Sequence, residues 1–104
     1  PEASSREATT EKAAENPRER RRRQARQQQA LAPLRKTLAR LENEIATLEK
    51  HISEREAAMM EKSFFERGES TAREVREYEA WKARLTGAMG EWETTAARLE
   101  AQEE

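Results

Sequence analysis

The sequence predicts an all-α fold: a two-helix antiparallel coiled-coil hairpin preceded by a disordered linker and a basic arm. Three observations lead there. Ala, Glu, Lys, Leu and Arg make up 66 of the 104 residues and every acidic residue is Glu, a composition of strong helix formers. With 39% charged and 35% hydrophobic side chains, the chain lacks the apolar surface that a compact globular core needs. Large apolar residues recur in alternating steps of three and four in two separate stretches, the period of a coiled-coil seam.

The elements follow in order. Residues 1–16, PEASSREATTEKAAEN, contain no large apolar side chain to offset the entropy of ordering, so a disordered linker is expected there. Residues 17–30 form a basic arm with six arginines. From Leu31 the first series is regular: Leu31, Leu38, Ile45, Ile52 and Met59 at position a, and Leu34, Leu41, Leu48 and Arg55 at d. A turn is expected at about residues 61–71, where Gly68 breaks the helix and TARE at 71–74 has the spacing of a capping box. The second series runs Val75, Tyr78, Lys82, Leu85, Met89, Trp92, Ala96 and Leu99. So short a connection requires the helices to fold back on each other, and residues 31–104 become the hairpin. Its expected facing pairs include Arg55 with Tyr78, Leu48 with Leu85, Ile45 with Met89, Leu41 with Trp92 and Leu34 with Leu99. Phe64 and Phe65 are expected to cover the end at the turn, and Arg55 to lie over the Tyr78 ring. Gly87 and Gly90 fall on the outer face of the second helix.

A net charge of −1 conceals a strong asymmetry. Residues 1–16 carry −2, residues 17–40 carry +8 and residues 41–104 carry −7, which points to a localised anionic partner rather than to a generally basic protein. Arg18, Arg20, Arg21, Arg22, Arg23 and Arg26 are the candidate phosphate ligands, because guanidinium groups grip phosphate oxygens two at a time. Arg35, Lys36 and Arg40 extend the set if the first helix begins before Leu31. Tyr78, Trp81 and Trp92 are weighed as platforms for unpaired bases, but the positions of Tyr78 and Trp92 make them core, leaving Trp81 the one partly exposed aromatic.

Other classes of function are excluded. The absence of Cys removes disulfides and thiol chemistry, and the single histidine, His51, is a surface position rather than a metal ligand. There is no glycine-rich phosphate loop and no nucleophile, base and acid constellation, so no enzyme is expected in this fragment. No apolar run is long enough for a bilayer, so no membrane partner is expected. The first residue is Pro1 rather than Met, and a fragment of a longer protein is the expectation.

The run LAPLRKTLARLENEIATLEKHISE, then SFF, then an amphipathic stretch ending EWETTAARLE, resembles the C-terminal domain of ABC-F ATPases of the Uup type, over residues 20–102. In those proteins a basic, glutamine-containing approach precedes an antiparallel coiled-coil hairpin. A similar hairpin ends the valyl-tRNA synthetases. The resemblance implies nucleic-acid binding, DNA in preference to ribosomal RNA, and a cytoplasmic location. It also implies parent ATPase domains in cis, with ATP and Mg as cofactors of the parent and none in this fragment. The alternative is a structural hairpin that contacts the ribosome or those ATPase domains.

Overall fold

A computed structural model describes residues 15–103, so the linker expected at residues 1–16 lies outside the described residues except at Glu15 and Asn16. Two long helices, α1 (Pro17–Met59) and α2 (Glu69–Glu103), are joined through a 3-10 turn at Lys62–Glu66. The chain divides after Pro33 into two units.

In the first unit α1 begins at Pro17, fourteen residues before the start of the heptad series. The start has a local cause. Asn16 caps the helix by accepting the Glu19 amide on its side-chain oxygen at 2.8 Å, while its own carbonyl receives the Arg20 amide at 3.0 Å. Pro17 occupies the first helical position, where a missing N–H is no loss and its fixed φ already suits the helix. The residues from Asn16 to Ala30 are all exposed, and Leu31 is buried. Pro33 lies inside α1 and removes one backbone hydrogen bond.

The second unit is the hairpin. Arg35 pairs with Glu103, Glu42 with Trp92, Glu44 with Arg84, and Glu56 with Tyr78. Partner numbers fall on α2 as they rise on α1, so the two helices are antiparallel and packed on each other. α2 has 35 residues and is therefore about 52 Å long. Along α1 every a and d position from Leu34 to Met59 is buried or half-buried, as the heptad assignment expects, and Arg35, Thr37 and Glu44 beside the seam are half-buried too.

The seam of α2 is turned relative to that expectation. Tyr78, Leu85, Trp92 and Leu99 face inward as assigned, but their companions in the middle of the helix are Trp81 and Ala88 rather than Lys82 and Met89. Ala88 has no exposed surface and Met89 is 47% exposed. Val75 and Ala96 are half-buried as expected, so of the eight positions in the expected series only 82 and 89 are displaced, each by one residue, to 81 and 88. A small residue at 88 takes little room in the seam, and within the hairpin unit Leu41 is wholly out of solvent as well.

The turn is built differently from a capping box at residues 71–74. The last turn of α1 tightens, with the amides of Met60 and Glu61 donating to the carbonyls of Ala57 and Ala58. Gly68 then takes a φ of +68°, a conformation that other residues adopt with strain, and α2 starts immediately after it. Thr71 therefore sits inside the first turn, its amide on the Gly68 carbonyl at 3.0 Å and its hydroxyl donating to the Phe64 carbonyl. Phe64 is buried beneath this strap and Arg67 lies over its ring, 4.8 Å from the centroid. Phe65 does not share the lid and is 59% exposed.

Candidate nucleic-acid interface

Six arginines lie between residues 17 and 30, and the helix sorts them by partner. Glu15, just ahead of the cap, accepts Nε and Nη2 of Arg23 on its two carboxylate oxygens at 3.1 and 2.9 Å. Its carbonyl receives Arg20 Nη2 at 3.3 Å. The Arg23 hydrogen bonds, opposed by partial burial and reinforced by the charges of Arg23, Arg20 and Arg26, hold the Glu15 carboxyl below its ordinary range. Arg20 and Arg23 are thereby drawn back toward the helix start.

Arg18, Arg21, Arg22 and Arg26 make no hydrogen bond or ion pair among the described residues, and all four are exposed. Arg18, Arg22 and Arg26 follow one another at intervals of four, so they share one side of the helix. The positive end of the helix dipole lies at the same terminus. A row of exposed guanidinium groups on a helix can grip successive phosphates, since each presents a planar fork of donors.

The three remaining sequence-predicted residues belong to the hairpin unit and differ among themselves. Arg35 pairs with Glu103 at 2.9 Å. Lys36 is exposed and makes no ion pair among the described residues. Arg40 is exposed, with Glu44 at 4.0 Å on the next turn.

The aromatic side chains are engaged within the hairpin. Trp81 is half-buried, with the Arg55 guanidinium 4.6 Å from its ring centroid and His51 edge-on at 5.2 Å. Arg55 was expected over Tyr78. It reaches instead past that residue to Trp81, because Trp81 has turned into the seam, and it donates to the Glu74 carbonyl and to Glu77. Tyr78 is covered by Lys82, whose Nζ is 4.9 Å from the ring centroid, and its hydroxyl donates to Glu56 at 3.0 Å. Half-buried Trp92 donates from Nε1 to Glu42 at 3.1 Å.

The residues that organise the basic segment, Glu15 and Asn16, are absent from the candidates read from the sequence. The signal was present: Asn-Pro-x-Glu at 16–19 combines an N-cap, a first-position proline and an acidic third residue.

Compared with known proteins, the chain matches no family model, and no curated protein or solved structure is similar to it. Among the described residues no helix is long and apolar enough to cross a membrane.

Proposed function

We propose that this chain binds the phosphate backbone of nucleic acid through the first turns of α1, with Arg18, Arg21, Arg22 and Arg26 as the principal ligands. The observation that carries the proposal is the concentration of four exposed guanidinium groups without an ionic partner among the described residues. Arg20 and Arg23 join them when phosphate displaces Glu15; Arg35, Lys36 and Arg40, on the hairpin unit, are further phosphate contacts of the proposal. Binding through phosphate contacts is electrostatic and weakly selective for sequence, because such contacts carry no base information.

The resemblance to the ABC-F C-terminal hairpin supports DNA in preference to ribosomal RNA, within a longer cytoplasmic ATPase whose other domains would hold ATP and Mg. The second reading, an interaction hairpin that docks on the ribosome or on those ATPase domains, is favoured by one observation: Arg23 grips the Glu15 carboxylate in bidentate fashion, so the same arginines can seat acidic side chains of a protein. Fluorescence anisotropy with labelled duplex DNA and a structured RNA of equal charge separates the two. Micromolar binding of DNA that Arg→Gln changes at 18, 21, 22 and 26 weaken supports the first reading; no binding of either nucleic acid at low salt leaves the second.

A further inference from the structure

Midway along the hairpin an open groove of about 310 Å³ is lined by Glu42, Ile45, Glu49, Met89, Trp92 and Glu93 together with Ala46. Its floor is apolar and partly exposed, because the turn of the α2 seam leaves Met89 outside, 47% exposed, beside the half-buried Ile45 and Trp92. Trp92 is fixed by the bond from its Nε1 to Glu42, so the aromatic wall is set before anything binds. Three carboxylates edge the groove and no cation lines it. Glu49 and Glu93 make no ion pair or hydrogen bond among the described residues.

We propose that this groove is a docking site for a cationic protein segment that inserts one large apolar side chain between Ile45, Met89 and Trp92. Charge complementarity selects the partner: Lys or Arg on either side of the anchor meets Glu49 and Glu93, whereas an acidic segment is repelled. A volume of about 310 Å³ is at the small end of ligand-sized pockets and suits a single anchor rather than a whole helix face. Met89 suits the role, since its unbranched thioether adapts to differently shaped anchors. The basic segment of a second copy is a poor occupant, because residues 17–29 contain no large apolar side chain. The site is independent of the phosphate ligands proposed above and shares no residue with them.

The chain has three methionines, so methyl-labelled Met59, Met60 and Met89 give three resolved probes. The test titrates the full chain with a soluble helical peptide of Lys and Ala bearing one central Leu, and with the same peptide carrying Ser at that position. The Met89 methyl signal is expected to move to saturation with the Leu peptide, while that of Met60, 85% exposed at the turn, stays in place. The Ser peptide is expected to bind at least about tenfold more weakly. Glu49→Gln with Glu93→Gln, both at exposed positions, is expected to weaken the Leu peptide by roughly three- to tenfold, the effect of two exposed ion pairs. Equal movement of Met60 and Met89, equal binding of the two peptides, or no movement at millimolar peptide would overturn the proposal. Arg→Gln changes at 18, 21, 22 and 26 leave the Met89 response unchanged, which keeps this result separate from the nucleic-acid reading.

Discussion

Adjacent residues on α2 offer a direct test of how the seam is turned. Heptad spacing places Met89 inside and Ala88 outside; the structure reverses them, with Ala88 wholly buried and Met89 47% exposed. Glutamine at each position makes the comparison, since it is a good helix former and close to Met in size. At 88 the added side chain overpacks the seam, at about 1 to 3 kcal/mol, and brings an amide with no partner, for roughly 1 to 3 kcal/mol more. Ala88→Gln should therefore cost about 2 to 6 kcal/mol. At 89 the side chain keeps its shape and remains half in water. Met89→Gln then loses about half of the roughly 1.5 to 3 kcal/mol that full burial of Met is worth, near 1 kcal/mol. Urea unfolding followed by far-UV circular dichroism measures both. If Met89→Gln proved the more damaging of the two, the reasoning about the α2 face would be refuted.

Three further outcomes are expected. Gly87 and Gly90 lie within α2, and a Cβ on either meets nothing within 4 Å, so each Gly→Ala change should stabilise the hairpin by about 1 kcal/mol, read as a rise in the urea midpoint; a fall would mean that the glycines make room for something the chain itself does not supply. Asn16→Ala removes the cap from the Glu19 amide and should cost about 1 kcal/mol locally, visible as faster amide exchange at residues 19–21 with the hairpin unaffected. The Glu44 carboxyl is held below its ordinary range by the Arg84 fork first, against partial burial, with the charges of Arg84 and Arg40 adding to the effect. Because the folded value is the lower one, this stabilisation is present above the unfolded carboxylate value of about 4.3 and is lost as pH falls through the folded value. Arg84→Gln should consequently flatten the acid limb of stability against pH, and parallel limbs for the two proteins would contradict that role.

The hairpin and the register of α1 were legible because Leu and Ile occupy every a and d position from 31 to 52, a pattern that only one helix face satisfies. α2 was half legible. Tyr78, Leu85, Trp92 and Leu99 are fixed by size, but each has an alternative companion on either side, and apolar scale alone prefers Met89 to Ala88. Close helix packing decides otherwise, since a buried alanine brings the backbones together while a long side chain can lie along the rim. The Arg55 stack on Trp81 follows from that rotation and was invisible without it. The early start of α1 stayed open in the sequence for a different reason. Residues 17–30 have no apolar periodicity, so only the end signal at Asn16 and Pro17 marks them as helix. At 71–74 the capping-box spacing was present but unused as a cap, because Gly68 at positive φ starts the helix earlier and turns the Thr71 hydroxyl to the Phe64 carbonyl.

The salt dependence of DNA binding tests the central proposal most directly. If Arg18, Arg21, Arg22 and Arg26 each neutralise about one phosphate, log affinity for duplex DNA should fall with log salt concentration with a slope of roughly −3.6 from these four contacts. Changing all four to Gln should remove most of that slope and greatly weaken binding at low salt. The side chains are exposed and without ionic partners among the described residues, and Gln is close to Arg in helix propensity, so helical content and melting temperature should stay nearly the same. A variant that folds like the parent and binds DNA as tightly, with an unchanged slope, would contradict the account.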